Sequence, residues 1–211
     1  MSTHPVITVS RTLGSAGTPI AQHVAQALGW RYCDRNILRL TAAALGRDPE
    51  ELEPGEGRAG TFMEDLFRVL AFASPESPFT PSPERPLYGP ELYASESVIM
   101  RELVEHSPAV LVGRGGFVAL AGRPATLHVH IRASLDFRIR HLLETRRAAS
   151  VEAARQAIKA SDRDRSRFIR AISGREWQDP GNFDLVLDSS LEGLDGCEAR
   201  ILALAPVLQS T

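Results

Sequence analysis

Hydrophobic positions along the chain fall into short runs joined by helical spacings. Val6-Ile7-Thr8-Val9 is an apolar, β-branched run that begins almost at once, the composition of a strand. Gly14-Ser15-Ala16-Gly17 breaks it. Ile20, Val24 and Leu28 then recur every fourth position and predict a helix from Pro19 to Leu28. Thr18 reads as the N-cap of that helix, with Pro19 at the first helical position. The opening is therefore strand, glycine-rich turn, helix, the start of a βαβ unit.

The pattern continues. Arg31-Tyr32-Cys33 predicts a short strand ending at Asp34, and the stretch from Arg35 to Leu45 a helix. A helix from about Glu91 to Glu105 would turn Leu92, Ile99 and Leu103 inward. Ala109-Val110-Leu111-Val112 has the unbroken apolar character of a buried strand and runs into Gly113-Arg114-Gly115-Gly116. A strand from Thr126 to Ile131, a helix from Ser134 to about Ala149 and helix from Val151 to Ile172 follow. Leu185-Val186-Leu187-Asp188 is the last strand and Gly193 to Leu208 the last helix. Strands alternating with helices predict a parallel sheet of about five strands with helices on both faces. Between Asp48 and Pro90 the pattern lapses. Pro54, Pro75, Pro78, Pro81, Pro83, Pro86 and Pro90 fall there, so an irregular excursion is expected, apart from a helix around Phe62 to Ala73.

Composition narrows the class. The 211 residues suffice for one domain with a real core. With 43% hydrophobic and 24% charged residues, the chain has the balance of a soluble globular protein. The net charge of −2 does not tune the whole surface for a polyanion. Cys33 and Cys197 are too few for a disulfide framework and have no metal-type spacing around them. Free thiols and a cytoplasmic location are expected. Residues 1–11 lack the pattern of a signal peptide, and no apolar stretch approaches a membrane span.

Three constellations carry candidate chemistry. In the turn from Ser10 to Thr18, backbone N–H groups and the positive end of a helix would make an anion site. Against the P-loop pattern of Gly, four free positions, Gly, Lys and Ser or Thr, the chain keeps Gly14 and the Thr18 hydroxyl. Arg11 stands where the first glycine belongs, Ala16 at the second, and Gly17 in place of the lysine. A tight turn that merely joins strand to helix is the plainer alternative. Second, Arg114 follows a strand end, where ligands of open parallel sheets bind, and its planar fork suits an anion; a surface arginine on a turn is the alternative. Third, residues 132–175 hold 12 of the 24 Lys and Arg but only five of the 26 Asp and Glu. Arg155, Lys159, Arg163 and Arg167 recur every four residues and would stack on one helix face, interrupted by Asp162 and Asp164. Such a stripe is a solvated face or a phosphate contact. A nucleic-acid surface would also bring exposed aromatics; Phe168 stands alone, and nucleic acid is not expected. His128 and His130 share one strand face without a third ligand nearby and read as structural.

These pieces come in the order seen in the cytidylate kinase-like family, which the chain resembles over almost its whole length. The resemblance rests on Ile7-Thr8-Val9-Ser10-Arg11 with Gly14-Ser15-Ala16-Gly17, on Tyr32-Cys33-Asp34-Arg35 and on Val112-Gly113-Arg114-Gly115. It is most specific at Asp162-Arg163-Asp164-Arg165-Ser166-Arg167 and Asn182-Phe183-Asp184-Leu185-Val186-Leu187-Asp188-Ser189. It implies one P-loop-type α/β/α domain over 1–211, with an acceptor-binding excursion at 34–90 and a helical arginine-rich lid at 150–175. The implied activity is transfer of the γ-phosphoryl of ATP, with Mg²⁺, to a nucleoside monophosphate, CMP or dCMP foremost, by a monomer or homodimer. Gly14, Ser15, Ala16, Gly17 and Thr18 would cradle the ATP phosphates together with Arg163, and Thr18 would meet the metal. Arg114 would hold the acceptor phosphate, Asp164 and Arg167 would close over it, and Asp188-Ser189-Ser190 would lie near the donor base. True cytidylate kinases carry the P-loop lysine, and another lid arginine where Ala160 stands here. Arg11 is the candidate to replace the missing lysine. A nucleotide-binding protein that keeps the fold with impaired catalysis is the alternative.

Overall fold

The computed structural model describes residues 4–34 and 90–208. The expected helix from Arg35 to Leu45 and the proline-rich excursion lie outside them. Five strands form one sheet: β1 (Val6–Arg11), β2 (Arg31–Cys33), β3 (Ala109–Val112), β4 (Thr126–Arg132) and β5 (Leu185–Asp188). Their order is β2-β3-β1-β4-β5 and every pairing is parallel. β1 lies at the centre, with Thr8 opposite Leu111 on one side and His128 on the other. The chain leaves β3 on one side of β1 and resumes at β4 on the other. The carboxyl end of β1 is thus the topological switch point, where such sheets bind ligands.

Helices cover both faces. α1 (Gly17–Leu28) and, at the far end of the chain, α6 (Ser189–Leu208) pack Ile20, Val24, Cys197 and Ile201 on Ile7, Val9, Val129, Ile131 and Leu187. On the opposite face, α2 (Pro90–His106) and the single turn α3 (Gly116–Ala119) set Ile99, Met100, Leu103 and Leu120 against Val6, Ala109 and Leu111. α4 (Leu135–Glu144) and α5 (Val151–Ser173) pack together around Ile139, Leu142, Ala154 and Ile158. Ser134 and Ser150 cap them, accepting the Phe137 and Ala153 amides. Among the described residues no helix is long and apolar enough to cross a membrane.

Two helix starts differ from the sequence reading. α1 begins at Gly17 after Ala16 in a left-handed conformation, with no side-chain cap, so Thr18 is not the N-cap. The turn closes before Thr18, and its hydroxyl is drawn to Arg11 Nε at 3.4 Å. α6 begins at Ser189, and the expected start at Gly193 is a kink (φ 69°, ψ 175°) within it.

Deleting the fully buried Leu103 side chain (Leu103→Ala) should cost about 2–5 kcal/mol. Leu191→Ala, at a side chain 84% exposed, should stay within about 0.5 kcal/mol of wild type. Urea denaturation of the two variants checks the contrast.

Candidate functional site

The loop after β1 is held from several directions. Ser15 is fully buried, and its Oγ lies 2.9 Å from Thr12 O and 3.1 Å from Ile131 O. Ser189 Oγ donates to Ser15 O at 2.8 Å. Arg138 on α4 donates from Nε to Leu13 O at 2.6 Å, and from both Nη atoms to the Asp162 carboxylate at 2.9 and 2.7 Å. Gly14 has φ 83°, and a Cβ there would lie 2.7 Å from the Arg138 carbonyl oxygen. Only glycine meets both conditions. The loop delivers the chain into α1 with no capping side chain and no acidic residue in the first turn. The amides of Gly17 and Thr18 have no intrahelical acceptor, and the helix end is positive. Such an arrangement suits an anion.

Arg11 lies beside that helix start. Its stem covers Gly17, its Nε faces Thr18 and its guanidinium lies against Gly113 at the end of β3. Desolvation lowers its pKa first, Tyr32 and Asp34 oppose the fall, and Arg147 adds to it. The guanidinium remains charged but poorly solvated, the state that an incoming phosphate relieves.

A pocket enclosing about 50 Å³ opens next to it, lined by Ser10, Arg11, Arg114, Phe117, Arg165 and Trp177 among others. Arg114, in a left-handed turn (φ 53°), is buried and paired with buried Glu96 of α2. Phe168 lies under its guanidinium at 5.1 Å. Arg165 descends from α5, donates to Arg11 O at 2.7 Å and covers the Trp177 ring at 5.6 Å. Three arginines from β1, the β3 turn and α5 therefore meet over one small space. It has room for one compact anion, well below the ~300 Å³ of a whole small-molecule pocket.

The sheet below the pocket is polar on this face. Thr8 Oγ1 meets His128 Nδ1 at 2.7 Å, Ser10 Oγ meets His130 Nδ1 at 3.2 Å, and Trp177 Nε1 donates to Ser10 Oγ at 2.9 Å. His130 also stacks on Phe183. Desolvation, then Arg132 and Arg165, push its pKa down to about 4 against a weaker pull from Asp162. His128 is lowered as well, mainly by desolvation. A neutral His130 is the form a site crowded with arginines tolerates.

The model of the cytidylate kinase-like family matches residues 6–191. The chain belongs to that family. Among solved structures, this cytidylate kinase-like chain is similar to a protein from Eubacterium ventriosum ATCC 27560, with 16% identity, a TM-score of 0.71 and coverage of 97% of this chain and 99% of that one. It is also similar to shikimate kinase from Bacteroides thetaiotaomicron, with 11% identity, a TM-score of 0.51 and coverage of 96% and 98%. At these identities the likeness is one of fold, the P-loop kinase fold. No curated protein matches the chain.

Kinases of this kind use ATP and Mg²⁺, and the residues fit both. The amides of Gly17 and Thr18 at the uncapped helix start are donors that suit a phosphate chain. No cluster of three His, Cys, Asp or Glu that could hold a metal occurs among the described residues. Mg²⁺ at a nucleotide takes many of its ligands from phosphate oxygens and water, and the Thr18 hydroxyl is an oxygen donor that fits such a site.

Of the residues singled out in the sequence, the structure brings together Arg11 and Arg114 at the pocket, with Gly14, Ser15, Ala16, Gly17 and Thr18 in the adjoining loop. Arg163 and Arg167 stand on the outer face of α5, exposed, with Arg155 and Lys159. Asp164 is paired to Arg163 Nε at 3.4 Å. The inward positions are Asp162 and Arg165, which the basic stripe did not single out. Helix phase was the usable signal, since both share the face of Ala154, Ile158 and Ile169. Trp177 and Glu96 carried no local signal.

Gly14→Ala should weaken ATP binding at least tenfold in calorimetry, because the loop must shift to relieve the contact with Arg138. Stability should fall as pH drops from about 6.5 to 4, since the unfolded chain takes up the His130 proton first. A drop on the order of 2–3 kcal/mol is expected from this group. Denaturation at pH 7 and 4.5 should show it in wild type and show it reduced in His130→Asn.

Proposed function

We propose that the chain is a nucleoside monophosphate kinase-like phosphotransferase that converts ATP and a CMP- or dCMP-type acceptor to ADP and the diphosphate. The observation that carries this is the meeting of Arg11, Arg114 and Arg165 in one pocket, directly beside an uncapped helix start. The family supports the pyrimidine acceptor. The two free, buried cysteines fit a reducing, cytoplasmic setting.

In this reading the acceptor phosphate sits between Arg114 and Arg165, while the donor phosphates lie on the Gly17 and Thr18 amides. Arg11, between Thr18 and Gly113, spans the two sites and holds charge on the phosphoryl group in flight. Mg²⁺, when bound at Thr18, neutralises the donor oxygens. The acceptor oxygen is already ionised, so no general base is required. Catalysis is then positioning and electrostatics, as phosphoryl transfer asks. α5 acts as the lid. In this reading it lifts for nucleotide entry and its return excludes water. We give the inward lid role to Arg165. Arg163, Asp164 and Arg167 would serve phosphates only through a rotation of α5.

The second reading, nucleotide binding without turnover, is favoured by one observation: Gly17 stands at the lysine position, and Arg11 is already engaged with Thr18.

Steady-state assays with ATP, Mg²⁺ and CMP, dCMP, UMP or AMP should give turnover with CMP or dCMP. Arg11→Ala should lower kcat by about 10²–10³. Calorimetric binding of CMP and ATP with no turnover supports the second reading, and neither binding nor turnover overturns both.

A further inference from the structure

Arg114 is an arginine in a place that does not hold one cheaply. Its side chain is 6% exposed, its backbone is left-handed, and two other arginines line the same pocket. A buried guanidinium without a counter-charge is costly and would swing toward solvent. Glu96, itself only 5% exposed, prevents this. Its Oε2 accepts from Arg114 Nε at 2.6 Å and from Nη2 as well. Two donors held on one oxygen fix the guanidinium plane and its rotation. Phe168 supports the flat face at 5.1 Å. Tyr93, three residues before Glu96 on α2, donates to Gly115 O at 3.3 Å and so pins the turn that carries Arg114. With Nε and Nη2 committed to Glu96, Nη1 is the remaining corner of a residue that lines the pocket.

We infer that Glu96 is a positioning residue: it holds Arg114 so that the uncommitted corner of its guanidinium is presented to an anion in the pocket. This rests on the proposed function for the identity of the anion, the phosphate of the acceptor nucleotide, but the positioning itself concerns any phosphate. Charge accounting supports the role. Three guanidiniums on one small space repel one another. One buried carboxylate behind them reduces that repulsion without entering the pocket, and leaves an excess of positive charge for a phosphate dianion. A carboxylate that served packing alone would not need to face the arginine at the end of β3.

The test is Glu96→Gln, which keeps shape and an acceptor oxygen but removes the charge. Calorimetry with CMP and, separately, with inorganic phosphate should show affinity lowered roughly ten- to hundredfold. ATP affinity should be unchanged, and in turnover the acceptor KM should rise more than kcat falls. In an Arg114→Ala background the same substitution should have no further effect on CMP or phosphate binding. A purely structural Glu96 would lower thermal stability and leave the two anion affinities alone, or would lower them equally in both backgrounds; either result overturns the inference. Should Glu96→Gln fail to fold, Glu96→Asp moves the charge back by one methylene and must show the same selective loss. Loss of phosphate affinity in Glu96→Gln with no CMP turnover by wild type would sustain the positioning and sink the kinase reading. CMP turnover indifferent to Glu96→Gln would do the reverse. Wild type that binds neither CMP nor phosphate overturns both.

Discussion

Arg138 joins three pieces of chain that the sheet does not connect. From α4 it reaches the carbonyl of Leu13 in the first loop and the carboxylate of Asp162 on α5. A buried guanidinium requires partners, and here the partners are the two elements that build the site. The loop is further tied to β4 through Ser15 and to the start of α6 through Ser189. Its amides therefore hold their orientation before any anion arrives. That is the preorganisation on which electrostatic stabilisation of a transferring charge depends. It also sets the height of α5 above the strand ends, and with it where Arg165 meets Arg11 and Trp177.

The sheet's two faces show why the site lies on one of them. Ile7, Val9, Leu127, Val129 and Ile131 turn to α1 and α6 and make an apolar layer. The alternate positions of β1 read Val6, Thr8, Ser10, and those of β4 include His128 and His130. The face thus becomes polar toward the carboxyl ends. Buried parallel strands are usually apolar throughout. The interruption marks where the second layer gives way to the pocket, and the Thr8–His128 and Ser10–His130 pairs satisfy the polar groups that this exposes to the interior.

Much of this was legible in the chain. The β-branched runs, the four-residue helical spacings and the glycine turns place all five strands and the longer helices among the described residues, but not the single turn α3. Arg114 was visible because it follows a strand end between glycines, and Arg11 because it stands where the P-loop pattern has its first glycine. Arg165 and Asp162 were not, although the information was present. They occupy the apolar stripe of α5, between Ile158 and Ile169, and two charges on a buried stripe need partners. The four-residue repeat of Arg155, Lys159, Arg163 and Arg167 is the stronger pattern, and it marks the solvated face. Trp177 and Glu96 meet their partners 167 and 18 positions away, through packing that no local spacing encodes. Thr18 failed as a cap for a related reason. Cap preference is a local propensity, and the left-handed turn at Ala16 is fixed by contacts of the loop with α4, β4 and α6.

The two departures from the P-loop pattern, arginine at position 11 and glycine at position 17, are one departure. The stem of Arg11 lies across Gly17, where an added Cβ would come within 2.6 Å of Arg11 Cβ. A lysine at 17 and the present Arg11 cannot both be accommodated without moving β1 or α1. A cation that starts from the strand end approaches the phosphate site from the opposite side to one that starts from the helix. It reaches across Thr18 to Gly113, and its planar fork covers a longer path than an ammonium group can. In the proposed function Arg11, attached at the strand, takes the part that a lysine attached at the helix would have taken.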